Sequence, residues 1–319
     1  MRPPAVSVVV PAYNTAEFIG DTLRSVMAQT CTDYEIIVVN DGSPDTPALE
    51  TALAPFRDRI RYIVQENRGL SGARNTGIAA AEGALIALLD SDDLWEPQYL
   101  DRQLDAMRRD PELDVVYPNA ITFGDRMRSG RLFMDLHPST GPVTFEGLVR
   151  QECNVMVSVL AKRDVLIAAG LFDESLRSSE DFDLWLRIVH GGWRIGYHRQ
   201  PLVRSRLRPG SLSADAISMC EHILRVLDKT RREMKLTRDQ IALIDERRSY
   251  FCALLRLHQG RRAFFQGDPK LAVDSLTQAN IVLRRRKIDA ALVLLRFVPG
   301  LLLRAYDVRD RVVFRTSTR

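Results

Sequence analysis

Apolar residues gather in short continuous runs through the first 90 positions: VSVVV at 6–10, YEIIVVN at 34–40, IRYIVQ at 60–65 and ALIALLD at 84–90. Their β-branched and aliphatic content predicts strands buried on both faces. Between them the spacing turns helical. From Thr15 to Gln29, the residues Phe18, Ile19, Leu23, Val26 and Met27 recur at the period of one helix face. Strand–helix alternation of this kind predicts an α/β fold, a mainly parallel sheet flanked by helices.

In open sheets of this type ligands bind beyond the carboxyl ends of the strands. The residues that close each run are PAYN (11–14), NDGS (40–43), QENRGLSGARNTG (65–77) and DSDD (90–93). Each has an ordinary reading by itself. NDGS makes a turn, Ser71 caps a helix that Gly77 lets pack closely, and DSDD is a solvated loop before a helix starting near Pro97. Their coincidence on one edge points further. Three carboxylates within four positions repel one another and are costly to desolvate, so they call for open solvent or a cation. Asp41 suits ribose hydroxyls or a base N–H, the Asp90/Asp92 pair suits a hard divalent cation bridging phosphates, and Arg74 suits anionic oxygen. Together they describe a site for a nucleoside diphosphate.

VSVVVPAYN, EIIVVNDGS, NRGLSGARNTGI, LIALLDSDDLW and SSEDFDLWLR (178–187), in this order, resemble the family 2 glycosyltransferases. The resemblance covers about two-thirds of the chain and implies a GT-A fold, a Rossmann-like sheet, with inverting transfer from a nucleotide sugar. By the same likeness, Pro11, Ala12, Tyr13 and Asn14 shape the base pocket and Asp41 contacts the nucleoside. Arg74 and Asn75 belong to the donor site. DSD is the family's D-x-D signature, with Asp90 facing ribose, Ser91 between, and Asp92 ligating Mg²⁺ or Mn²⁺ on the diphosphate.

Activating a hydroxyl acceptor needs a general base on the face opposite the leaving group. EDFDLWLR offers Glu180 and Asp181 at a helix start, with Phe182, Leu184, Trp185 and Ile188 as its buried face. Acidic residues there also complement a helix dipole. The resemblance implies that Asp181 is the base and Glu180 its neighbour in support or acceptor binding. Trp185 reads as core. LVRSRLRPGSLS (202–213) resembles the family's closing loop through Arg206, Ser211 and Ser213, but Arg208 stands where the family has His. Arg208 either neutralises diphosphate charge or is a surface arginine.

From about residue 216 the pattern becomes helical, dividing the chain into a catalytic region, 1–215, and a C-terminal helical region, 216–319. Residues 247–283 read as a helical hairpin turning at Gly267–Asp268–Pro269. The apolar stretch 288–315 is broken by Arg296 and Pro299–Gly300, short of the ~20 apolar residues of a membrane span. With RRRK at 284–287 it suits an interfacial helix pair or a packed hairpin, so peripheral contact with the inner face of the membrane is an expectation.

Composition adds limits. A chain of 319 residues with 45% hydrophobic content builds a sizeable core. The net charge is only +4, but the positive charge gathers at RRRK and near the C-terminus, which suits nucleic acid or anionic lipid alike, and nucleic acid is not among the expected partners. Cys31, Cys153, Cys220 and Cys252 lack the spacing of a zinc or redox motif and read as reduced thiols. The N-terminus lacks the features of a signal peptide, which implies a cytoplasmic protein. The expected partners are a nucleoside-diphosphate sugar, with UDP or dTDP mildly preferred, and a glycan or lipid-linked acceptor in surface polysaccharide or glycolipid synthesis. Two other classes would leave different marks. A nucleotidyltransferase would carry a glycine-rich basic loop straight after the first strand, where PAYNTAEF stands, and a non-catalytic binder would lack the base or metal carboxylate.

Overall fold

The computed structural model describes residues 2–124, 129–208 and 215–297. The chain divides into two compact units, Met1–Ser211 and Leu212–Arg319. The strands are β1 (Val6–Ala12), β2 (Tyr34–Asp41), β3 (Arg61–Gln65), β4 (Leu85–Leu88), β5 (Leu94–Trp95), β6 (Leu113–Phe123), β7 (Leu160–Lys162) and β8 (Arg194–Arg206). The first unit carries helices α1 (Ile19–Met27), α2 (Thr46–Leu53), α3 (Gly69–Ala80), α4 (Tyr99–Arg109), α5 (Phe133–Leu136), α6 (Phe145–Arg150), α7 (Arg163–Ala168) and α8 (Glu180–His190).

One sheet holds all eight strands in the order β3-β2-β1-β4-β7-β6-β8-β5. The four predicted runs form its parallel half, β3-β2-β1-β4, with Val8 opposite Ile36 and Val9 opposite Leu88. Val6, Val8, Val9 and Val10 have no exposed surface, and each contributes about 1.5–3 kcal/mol over remaining in water. Gly77 seats α3 on this half, because a Cβ there would stand 2.3 Å from Val9 Cγ1.

The other half was not legible as strands. β7 runs antiparallel to both β4 and β6, whereas β8 pairs parallel to β6 and antiparallel to β5. The β6–β8 register slips on either side of Asn119, next to Pro118, which has no N–H to donate to a ladder. The reversal at β7 brings the ends of β4 and β8 to the same edge.

Two local expectations are corrected. The first helix begins at Ile19 rather than near Thr15, because the Thr15 carbonyl closes a turn with the N–H groups of Phe18 and Ile19 at 2.9 and 3.1 Å. Ser71 lies inside the first turn of α3, whose N-cap is Arg68, and its hydroxyl donates to the Leu176 carbonyl at 3.4 Å instead of capping.

The second unit contains α9 (Ala216–Glu233), α10 (Arg238–Phe265), α11 (Pro269–Leu283) and α12 (Arg286–Phe297). A capping box between Thr237 and Gln240 starts α10. The expected turn joins α10 to α11: Gly267 takes φ +81°, the Asp268 carboxylate accepts from Leu271 N at 2.9 Å, and Pro269 opens the next helix. Ala263, Phe264, Ala272, Leu276, Ile288, Leu292 and Leu295 form one buried cluster. Among the described residues no helix is long and apolar enough to cross a membrane. The rest of the 288–315 stretch, and Ser211 and Ser213, lie outside the described residues.

Candidate active site

β1 and β2 end side by side, Ala12 opposite Asn40, so PAYN and NDGS are neighbouring loops. Pro11 and Ala12 are buried, whereas Tyr13 is exposed. Asn14 takes φ +54° and its N–H donates to Ser43 Oγ at 2.7 Å, while Asp45 Oδ2 accepts from Ala16 N at 2.9 Å. These bonds lock the two loops together. Asp41 is 3% exposed, and its Oδ1 accepts from Gln65 Nε2 at 2.6 Å and Arg68 N at 2.9 Å. Gly42, at φ +62°, allows this approach, since a Cβ there would meet Asn67 N at 2.8 Å. Asp41 is therefore held in one orientation at the strand end.

Arg74 is the largest charged group in the interior, 1% exposed. Its Nη2 donates to Asp90 Oδ1 at 2.7 Å and its Nη1 to Glu180 Oε1 at 2.5 Å, and its guanidinium lies 5.2 Å from the centre of the Phe172 ring. Burial alone would lower its pKa, but Asp90 and Glu180 together raise it above the ordinary arginine value. The sequence suits Arg74 to an anionic ligand in the donor site, and in the structure both its terminal nitrogens are engaged with carboxylates of the protein itself. Asn75 also works internally. Its Nδ2 donates to the Phe172 carbonyl at 2.8 Å and its Oδ1 accepts from Phe172 N at 3.0 Å, fixing the segment ahead of α8.

The DSDD segment turns tightly, with Asp93 N donating to the Asp90 carbonyl at 3.1 Å. Ser91 is buried in this turn, its hydroxyl donating to Thr15 Oγ1 at 2.9 Å. Thr22 Oγ1 donates to the carbonyls of Ser91 and Asp93, both at 2.9 Å. From β8, Arg206 donates its N–H to Asp93 Oδ1 at 2.7 Å and its Nε to the Asp92 carbonyl at 2.8 Å, with its guanidinium 4.4 Å from the Phe123 ring centre and 4.7 Å from that of Phe18. Arg208 Nε pairs with Asp92 Oδ2 at 2.6 Å. Burial, then the nearby Asp90, push the Asp92 carboxyl upward against the pull of Arg208. Asp93, raised by burial and by both neighbouring carboxylates, was the acidic residue that the sequence reading left without a role.

Glu180 and Asp181 open α8 as expected. Leu184, Trp185 and Ile188 are buried, Trp185 at 1% exposure, but Phe182 is only half-buried. Asp183 takes the inward position instead and pairs with Arg187 Nη2 at 2.8 Å. Arg187 also donates to the carbonyls of Ala169 and Leu171. Burial, then the charge of Glu180, push the Asp181 carboxyl up to about 7, with Arg74 pulling the other way.

No group of three or more His, Cys, Asp or Glu among the described residues forms a ready cation cage. Asp90 and Asp92 still fit a hard divalent ion. Burial and the charge of Asp90 raise the cost of ionising Asp92, which a dication relieves, and an ion of this kind is commonly held by one or two carboxylates with substrate phosphates completing the shell. Beside these loops a cavity of about 680 Å³ is lined by residues including Asn14, Phe18, Asp45 and Arg208.

The sequence profile of "Glycosyl transferase family 2" matches residues 7–151. An uncharacterized glycosyltransferase of Rickettsia typhi is 30% identical over 227 residues, 68% of this chain and 69% of that protein. The succinoglycan biosynthesis protein ExoO of Rhizobium meliloti is 36% identical over 230 residues, 67% of this chain and 65% of its own. Other relatives are longer, and the chain spans 30% to 34% of their length. Among solved structures, the mannosyltransferase PcManGT from Pyrobaculum calidifontis in complex with GDP-Man and Mn²⁺ matches with a TM-score of 0.61 at 19% identity, over 96% of this chain and 88% of that one. That likeness shows a common fold, of the GT-A type. With the family match over residues 7–151 and a 30% identical relative aligned over two-thirds of the chain, the chain belongs to glycosyl transferase family 2, whose members are glycosyltransferases.

Proposed function

We propose that the protein is an inverting glycosyltransferase that moves a sugar from a nucleoside-diphosphate donor to a hydroxyl acceptor. The observation that carries the reading is the Arg74 bridge. One buried guanidinium joins Asp90, just past β4, to Glu180, at the start of α8, and the raised carboxyl of Asp181 feels the charges of Glu180, Arg74 and Asp90, which supports the reading.

Asp41 accepts a hydrogen bond from the base or ribose, in a pocket shaped by Pro11, Ala12, Tyr13 and Asn14. Asp90 faces the ribose, and Asp92 would hold a divalent cation, Mg²⁺ or Mn²⁺, which would supply charge neutralisation on the leaving diphosphate. Arg208, released from Asp92, sits within reach of the same phosphates. Asp181 takes the proton of the acceptor hydroxyl as that oxygen bonds to the anomeric carbon. The bond from that carbon to phosphate breaks, and its electron pair leaves with the nucleoside diphosphate. A base near pH 7 suits this step, since it is substantially ionised yet still basic. Glu180, buried and paired with Arg74, supports Asp181 through its charge. The likeness to ExoO supports a role in surface polysaccharide synthesis.

The test is release of nucleoside diphosphate from a panel of UDP-, dTDP- and GDP-sugars, with and without hydroxyl acceptors and divalent cations. Acceptor-dependent release that Asp181→Asn abolishes supports the reading. Donor binding without acceptor-dependent release across the panel, or release unaffected by that change, rejects it.

A further inference from the structure

The α11–α12 corner of the second unit carries a surface that the transfer reaction does not use. Residues 284 to 287, Arg-Arg-Arg-Lys, are four consecutive exposed cations. On either side stand exposed aliphatic residues: Ile281 at 70% and Val282 at the end of α11, and Val293 at 57% and Leu294 on α12. These are not misplaced core positions. The same two helices send Leu276, Ile288, Leu292 and Leu295 into the buried cluster, so the core of the corner is already formed and a second apolar set faces outward.

Charge decides what this surface suits. The nearest acid in sequence, Asp289, already accepts from Asn280 Nδ2 at 2.6 Å. Arg284 adds a second sign. It holds φ +49° at the C-cap of α11, a left-handed position that favours Gly, and Asn280 secures this turn by accepting from Arg285 N at 2.7 Å. A glycine would suit the backbone better, but a cation stands there. Lys287, Ala290, Val293 and Leu294 recur at the three- and four-residue spacing of one helix face, all but Ala290 being either cationic or strongly apolar.

We propose that this corner docks the protein onto an anionic lipid bilayer. The cations at 284–287 meet phosphate headgroups while Ile281, Val282, Val293 and Leu294 enter the headgroup–acyl boundary. Basic residues paired with an apolar helix face bind in this way, and the attraction falls with salt. A second copy of the chain would bring four cations against four cations, which makes it the weaker occupant.

The experiment uses the full chain with vesicles of phosphatidylglycerol and phosphatidylcholine, or of phosphatidylcholine alone, read by co-sedimentation. Binding is expected only to the anionic vesicles and is weakened by salt. Arg285→Gln/Arg286→Gln/Lys287→Gln should lower the partition coefficient about a hundredfold, from the contribution of about fivefold per cation. Val293→Ser, whose side chain is outside the core, should weaken binding with an unchanged melting temperature. Equal binding to neutral vesicles, or unchanged binding by the triple variant, overturns the proposal. So does sedimentation equilibrium showing a dimer that Val293→Ser dissociates. None of these readouts depends on turnover, so they stand or fall apart from the transfer chemistry.

Discussion

Arg208 places its Nε 2.6 Å from Asp92 Oδ2 across 116 positions of sequence. The arginine thus balances the very carboxylate proposed to hold a cation, and both cannot hold that oxygen together. Asp92→Asn keeps the size of the side chain and removes its charge. Stimulation of turnover by Mg²⁺ or Mn²⁺ should largely vanish, and Mn²⁺ affinity measured by calorimetry with nucleoside diphosphate present should fall. Full activity in excess chelator would remove the ion from the site.

The Arg74 bridge predicts a large stability effect. Arg74→Met leaves Asp90 and Glu180 without their buried cation, and loss of one partner from such a group costs about 3–5 kcal/mol. Urea unfolding of the variant should show a lowered midpoint with little change in slope. A loss below about 1 kcal/mol would mean that solvent reaches the carboxylates and replaces the arginine.

Asp181→Asn separates chemistry from stability. Turnover should fall about 10²–10⁴-fold with donor binding retained. The carboxyl titrates near 7 in the fold against 3.8 as a free group, so its ionisation destabilises the fold as pH rises through that window, and the full penalty is present above about 7. The variant should therefore melt higher than the parent at pH 8 and match it at pH 3.5, provided both remain folded. Equal melting temperatures at pH 8 would show that Asp181 is not raised.

The pH profile follows from the same group. With saturating donor, kcat/KM for the acceptor should fall on the acid side of about pH 7 as Asp181 gains its proton. An acid limb near pH 4 would assign the base to an ordinary exposed carboxylate.

Asp41→Ala removes an acceptor already oriented by Gln65 and Arg68. Affinity for nucleoside diphosphate, by calorimetry, should fall about 10- to 100-fold, the range for hydrogen bonds to a charged group. Unchanged affinity for every base would move recognition elsewhere.

The parallel half of the sheet was readable because every residue of β1 is buried, leaving an unbroken apolar run. The opposite half was not. β8 spans Arg194–Arg206 with six arginine, histidine and glutamine positions, and β7 has only three residues, so neither shows a clean period. Within the site, residue type and place point to Asp41, Asp90 and Asp92 as candidates, the choice of Asp181 rests on the family resemblance, and the structure brings Asp90 and Glu180 together on Arg74. Residue type alone did not reveal that Asn75 and Ser91 bond inward, nor that Arg74 faces carboxylates. Such partners depend on contacts about 100 positions apart, as with Arg74 and Glu180, and no local pattern encodes them.

β4 gains its second neighbour late. Ile86 pairs with Ser7 on one side, but on the other its partner is Ala161, on a strand of three residues. During synthesis the aliphatic edge LIAL therefore remains open until β7 has emerged, and an open apolar edge invites pairing with other chains. A fragment cut at residue 151, where the family profile ends, retains the PAYN, NDGS and DSDD segments yet leaves that edge bare. Expressed by itself it should collect in the insoluble fraction, and extension through Lys162 is the shortest change that covers β4.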